Sequence, residues 1–214
     1  MKARRIARAA ARGTIRRLPE SLRRPLFRGG QRADRLRDPQ GVVDALALSP
    51  GAVVADLGPG YGHFTLLLAT AVAPNGVCFA ADSDQQTLDE LAGVAQKRGI
   101  HNLRAVLTSP SRLELPEPVD LLFVSATYHH LRAARAYFEQ ARSQLKDGGR
   151  VAILESRLEG PAARLMNAHG SKPTKVIADM QAAGYELIRT HDLVRGHWFA
   201  EFRVAPISLK ERRP

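Results

Sequence analysis

Asp56-Leu57-Gly58-Pro59-Gly60-Tyr61-Gly62-His63-Phe64-Thr65 is the stretch that decides the fold. Residues 52–57 form an apolar run of strand length, and residues 63–72 carry apolar side chains at helical spacing. The glycines between them therefore make a tight turn from a buried strand into a helix. Outward from this turn the pattern repeats. Val77–Asp82 reads as a second strand, entered through Pro74-Asn75-Gly76. Leu88, Leu91, Ala92 and Ala95 mark the inward face of a helix ending near Gly99. Leu103–Leu107 and residues 119–124 read as strands three and four. A helix is expected over 131–145 with Ala134, Phe138, Ala141 and Leu145 inward, and Asp147-Gly148-Gly149 turns into strand five over 150–155. After a loop through Pro161 and His169, a helix over 174–183 precedes two closing strands, 185–193 and His197–Val204, joined by Arg195-Gly196. In the last strand Trp198, Ala200, Phe202 and Val204 share one face. Strands alternating with helices predict an α/β, doubly wound, mostly parallel sheet with helices on both faces.

The chain has 214 residues and a mass of 23.4 kDa, room for one such domain and little more. Its 44% hydrophobic and 25% charged residues are ordinary for a globular protein, and no apolar run reaches the roughly 18–20 residues of a membrane span. Cys78 is the single cysteine, so no intrachain disulfide can form and a reducing, cytoplasmic setting is expected. The formal charge of +11 is concentrated at one end. Residues 1–37 contain 13 basic and 2 acidic residues, whereas residues 38–214 contain 19 of each. The expected organisation is a basic arm over 1–30 ending at Gly29-Gly30, a domain over 31–208 and a tail over 209–214. Within the arm Ile15, Leu18, Leu22 and Leu26 line one helical edge, interrupted by Pro19 and Pro25. Such an arm reads either as a flexible solubilising tail or as a segment suited to an anionic membrane surface; nucleic acid is a less favoured partner. An organelle transit peptide shares its Arg-rich, acid-poor composition, while a secretory signal would need an apolar core that is missing after the basic start.

Ligands of doubly wound sheets sit beyond the carboxyl ends of the strands. The dinucleotide fingerprint places its third glycine five residues after the first, where this chain has His63, which argues against nicotinamide or flavin. Strand two ends in Asp82, twenty residues past Gly62, where a carboxylate accepts hydrogen bonds from both hydroxyls of a ribose. The helix N-terminus after the turn stabilises a carboxylate as it would a phosphate. A ligand with a ribose and an amino-acid end fits both features, and S-adenosylmethionine is such a ligand.

The segment from Val54 to Gly62 resembles motif I of the class I S-adenosylmethionine-dependent methyltransferases, a Rossmann-like family. Ala80-Ala81-Asp82 is similar to the family's acidic ribose position, and Leu145-Lys146-Asp147-Gly148-Gly149-Arg150-Val151 to its turn into strand five. The resemblance covers about residues 38–205. It implies a seven-stranded sheet with the last strand antiparallel, S-adenosylmethionine above strands one and two, and a methyl acceptor near strand four. Asp56, Gly58, Gly60, Gly62, Asp82, Ser109 and Ser125 are the cofactor-binding candidates. Ser109 stands where the family often has an acid that contacts the adenine amino group. The Asn/Asp-Pro-Pro-Tyr signature of amino-methylating members is replaced by Ser125-Ala126-Thr127-Tyr128-His129-His130, which weighs against nucleobase or glutamine nitrogen as acceptor.

Tyr128, His129, His130 and His169 are the candidates for a base that takes a proton from a hydroxyl acceptor. No metal site is expected, because adjacent His129 and His130 cannot form an i, i+4 ligand pair. The expected activity is methyl transfer by direct displacement to a small-molecule or lipid-like acceptor. Two alternatives remain: a methyltransferase-like module that binds the cofactor without turnover, suggested by Ser109, and a nucleic-acid methyltransferase using the arm. An oxidoreductase ranks below both.

Overall fold

β1 (Val53–Leu57) lies at the centre of the sheet, and its last four residues are buried. It pairs in parallel with β2 (Val77–Asp82) on one side and β4 (Val119–Ser125) on the other, so Asp56 sits between Ala80 and Phe123. Strands covered on both faces must be apolar throughout, which is why these segments read as continuous hydrophobic runs. In this computed structural model, residues 38–157 and 170–206 are described. The seven strands follow the order β3-β2-β1-β4-β5-β7-β6. β3 is Leu103–Leu107, β5 Leu145–Ser156, β6 Tyr185–His191 and β7 His197–Val204. The chain winds outward from β1 to β3 and then returns to β4, which opens a crevice at the carboxyl ends of β1 and β4.

Helices α1 (Pro39–Ala45), α2 (His63–Val72) and α3 (Gln85–Lys97) cover one face through Val43, Phe64, Leu68, Leu88 and Leu91. Helices α4 (Ala134–Ala141) and α5 (Pro173–Ala182) cover the other through Tyr137, Phe138, Val176 and Met180. β7 runs antiparallel to both β5 and β6, as expected of the last strand. Its Trp198, Ala200 and Phe202 enter the second core, against which Val204 packs.

Several expectations are corrected. The helix expected over 131–145 is only α4, with a 3-10 turn before it (Tyr128–His130) and one after it (Arg142–Gln144). Leu145 opens β5 by pairing with Val119, and the register then shifts before Leu121 pairs with Arg150. Gly149 is required there, since a Cβ would lie 2.8 Å from the carbonyl oxygens of Lys146 and Val119. Ala92 is exposed, and Val94 packs against the core in its place. β6 ends at His191. The unexpected α1 has a local signal: the Asp38 carboxylate accepts from Gly41 N at 3.3 Å, and Pro39 occupies the first turn. The arm over 1–30, the tail over 209–214 and His169 lie outside the described residues. Among those residues no helix is long and apolar enough to cross a membrane.

Candidate active site

The three glycines of the turn do different work. Gly58 N donates to Ala81 O at 2.8 Å, tying the turn to β2. A Cβ on Gly58 would meet Thr127 Oγ1 at 2.3 Å, and one on Gly62 would meet Leu91 Cδ1 at 2.2 Å. Both positions are therefore demanded by packing. Gly60, with φ +53°, has nothing within 4 Å of where its Cβ would project. It faces open space at the crevice. Gly62 heads α2 without a side-chain cap, so amides of the first turn can serve a ligand's carboxylate.

Asp56 is buried and accepts from Thr65 Oγ1 at 2.6 Å, which clamps the end of β1 to α2. Its charge, after burial itself, raises the Cys78 thiol well above its ordinary pKa and leaves that cysteine inert. Asp82 ends β2, with one carboxylate oxygen accepting from Asp84 N at 3.0 Å. Asp84 in turn caps α3 by accepting from Gln86 N at 3.1 Å and Thr87 Oγ1 at 3.0 Å. Ser109 is exposed beyond β3, its hydroxyl 2.9 Å from that of Ser111. Ser125 ends β4, and its Oγ is buried with no hydrogen-bond partner among the described residues. The next residue, Ala126, is held at φ +50° by its N–H bond to Leu154 O at 2.9 Å, a strained corner between β4 and β5.

Tyr128 turns away from this corner into the core. Its ring stacks on Phe138 and its hydroxyl donates to Asp179 Oδ2 at 2.6 Å. Burial, reinforced by that bond, pushes its pKa far above the ordinary tyrosine value. A hydroxyl so committed is a poor proton acceptor, so the structure makes Tyr128 a link between the β4 loop and α5. His129 turns the other way. Its Nδ1 lies 3.1 and 3.0 Å from the two oxygens of Glu155, a fully buried carboxylate near the end of β5. Glu155 Oε1 also accepts from His129 N at 3.3 Å. An ionised carboxylate only accepts, so it fixes Nδ1–H as the donor and makes Nε2 the basic nitrogen. His130 is exposed, with its ring centroid 4.0 Å from that of His129.

Glu155 was not among the residues singled out from sequence. Its signal was nonetheless present: an apolar run, Val151-Ala152-Ile153-Leu154, ends in a single acid, as β2 ends in Asp82. The groups next to it also missed notice. Ser156 Oγ lies 3.1 Å from His197 Nε2, and Arg157 Nε donates to His197 O at 2.9 Å. No group of three or more metal-ligating side chains occurs among the described residues.

A seven-stranded sheet in this order, with one antiparallel strand, a glycine turn after β1 and an acid ending β2, defines the class I S-adenosylmethionine-dependent methyltransferases. Residues 48–191 match the family model described as a methyltransferase domain, and the chain belongs to that family. Among solved structures it is similar to an S-adenosylmethionine-dependent methyltransferase from Aquifex aeolicus, with a TM-score of 0.70 and 22% identity over 79% of this chain and 91% of that one. It is also similar to the pyocyanin biosynthetic protein PhzM, with a TM-score of 0.73 and 19% identity over 89% of this chain and 60% of that one. A third neighbour is magnesium protoporphyrin IX methyltransferase from Synechocystis PCC 6803, solved with bound S-adenosylhomocysteine: TM-score 0.65, 16% identity, 82% of this chain and 84% of that one. The residues present fit S-adenosylmethionine. Gly60 leaves space for it, the uncapped first turn of α2 suits its carboxylate, Asp82 suits its ribose, and the Ser125 hydroxyl offers an unused polar contact.

Proposed function

We propose that this methyltransferase acts on a hydroxyl group of a small acceptor, with His129 as its general base and Glu155 as the residue that positions it. The observation that carries this reading is the buried Glu155 carboxylate on His129 Nδ1 at the carboxyl ends of β4 and β5. S-adenosylmethionine, when bound, supplies a methyl group on a sulfonium that a nucleophile displaces directly. A neutral hydroxyl is a weak nucleophile, and His129 Nε2 strengthens it by taking its proton as the oxygen attacks. Glu155 stabilises the imidazolium so formed, and the proton then leaves to solvent. Aligning the acceptor oxygen with the methyl carbon supplies much of the remaining acceleration. A small acceptor is supported by the neighbours, one a magnesium protoporphyrin IX methyltransferase and another a pyocyanin biosynthetic protein.

The test uses a panel of phenols and thiophenols with His129→Gln. Turnover of phenols should fall by about 10²–10⁴-fold, the usual worth of a positioned base, and cofactor affinity should hold. Thiophenols, largely ionised without help, should lose far less. Equal losses on both classes, or no loss on phenols, would show that His129 is not the base.

Residues 1–30 are proposed to bring this domain to anionic membrane surfaces from the cytoplasmic side. Their charge supports this reading, at about 1 kcal/mol per basic residue near the surface. Deleting them should leave cofactor affinity intact and abolish salt-sensitive pelleting with anionic vesicles. Equal pelleting of both forms would reject the membrane role, and a truncated protein that fails to fold would move the domain boundary.

A further inference from the structure

The balanced charge of residues 38–214 hides two opposite halves. Residues 38–96, which build α1, β1, α2, β2 and nearly all of α3, contain seven acidic residues and not one Lys or Arg. Residues 119–157 and 170–206, which build β4, β5, β6, β7, α4 and α5, contain 11 basic and 8 acidic residues. The sheet order places the first group on the cofactor side of the crevice, where S-adenosylmethionine is itself a cation. The second group forms the side around His129.

On that second side four cations stand at the carboxyl ends of the strands. Arg132 follows the β4 turn, Arg157 follows β5, Lys172 precedes α5, and Arg195 lies in the β6–β7 hairpin; all four are exposed. Among the described residues none of them has a carboxylate within ion-pair distance. Of the acids nearby, Glu155 is engaged with His129 and Asp179 with Tyr128 and Lys175, while Asp192 of the same hairpin is exposed and forms no ion pair with these cations. Arg157 is the one built into place. Its backbone N–H donates to Gly196 O at 2.9 Å and its Nε to His197 O at 2.9 Å. These two bonds hold the guanidinium on the hairpin, with its Nη groups unassigned, two residues beyond the carboxylate that orients the base. The bond to Gly196 continues the β5–β7 pairing one residue past Ser156, so Arg157 stands at the same strand end as Glu155, leaning toward β7.

We propose that the methyl acceptor is an anion, a hydroxylated compound bearing a carboxylate or phosphate, and that Arg157 binds this group while the neighbouring cations attract it. A planar guanidinium presents two parallel N–H donors that match either oxyanion. Cations along one wall of a crevice also concentrate anionic ligands there. The proposal rests on the hydroxyl-directed reading of the same site, but it concerns recognition and can fail separately.

The test is calorimetric titration of the full chain saturated with S-adenosylhomocysteine, using 4-hydroxybenzoate, 4-hydroxyphenyl phosphate and 4-hydroxybenzamide. At least one anion should bind ten or more times more tightly than the amide, and the better anion identifies the acidic group. Arg157→Gln should erase that preference and leave the affinity for S-adenosylhomocysteine unchanged; the arm's own cations are present in both proteins. His129→Gln should keep the preference, which separates this proposal from the choice of base. Equal binding of anion and amide, no binding of either anion, or a preference that survives Arg157→Gln would overturn it.

Discussion

Replacing single glycines by alanine separates the residues that hold the turn together from the one that leaves room for the cofactor. Gly60 and Gly99 both have positive φ, +53° and +68°, and neither would bring its new Cβ within 4 Å of another atom. Each substitution should therefore carry only the left-handed penalty of about 1–2 kcal/mol, and a 1 kcal/mol loss lowers Tm by roughly 2–4 °C in a domain of this size. Gly58→Ala adds a collision with Thr127, whose Oγ1 and Cγ2 would lie 2.3 and 2.7 Å away. Its stability loss should exceed the others by about 1–3 kcal/mol. Binding should sort the variants differently. A methyl group at Gly60 enters the space assigned to the cofactor, and overpacking of about 1–3 kcal/mol corresponds to a loss of roughly 5–150-fold in affinity. Gly99 follows α3, away from the glycine turn, and its variant should bind normally. Thermal unfolding and calorimetric titration of S-adenosylmethionine measure the two effects on the same samples. If Gly60→Ala bound the cofactor as tightly as Gly99→Ala, the placement of the ligand over this turn would be wrong.

Asp82→Ala should weaken S-adenosylmethionine binding about tenfold or more, from the loss of charge-assisted hydrogen bonds worth roughly 1.5–3 kcal/mol; unchanged affinity in a folded variant would refute the ribose assignment. Tyr128→Phe keeps the ring and removes the bond to Asp179, so the urea midpoint should fall by the equivalent of about 1.5 kcal/mol while turnover is kept. Lost turnover at full stability would return Tyr128 to the list of catalytic groups. Burial works to raise the carboxyls of Asp120 and Asp179, but hydrogen bonds from Lys146 to Asp120, with the Val53 amide, and from Lys175 and Tyr128 to Asp179 bring both below the ordinary 3.8. Such depressed groups contribute stability above their unfolded pKa and lose it as pH falls through the lower native values. Unfolding midpoints should therefore drop below about pH 4, and less steeply in Asp120→Asn/Asp179→Asn; an identical acid limb in that variant would remove these carboxylates from the account.

Local pattern alone determined the framework. α2 at His63–Val72, β2 at Val77–Asp82 and β3 at Leu103–Leu107 lie where hydrophobic period and turn residues put them, because a strand buried on both faces and a helix buried on one each leave their period in consecutive residues. The glycine turn and Asp82 were legible for the same reason: they end consecutive strands at fixed offsets. Leu145 shows the limit. Its spacing from Ala141 and Phe138 reads as helix, yet pairing with Val119 draws it into β5. Three similar glycines looked equivalent until Thr127 and Leu91 arrived beside two of them. Tyr128 and His129 are neighbours in sequence, and only the fold sends one to Asp179, 51 residues away, and the other to Glu155, 26 residues away. The charge balance behaves the same way, since a neutral sum becomes an acidic side and a basic side once the strands are ordered in space. Period and turn chemistry act over a few residues and survive in the linear string, whereas the partner of a side chain depends on which strand ends the sheet brings together, and that is settled only when the sheet closes.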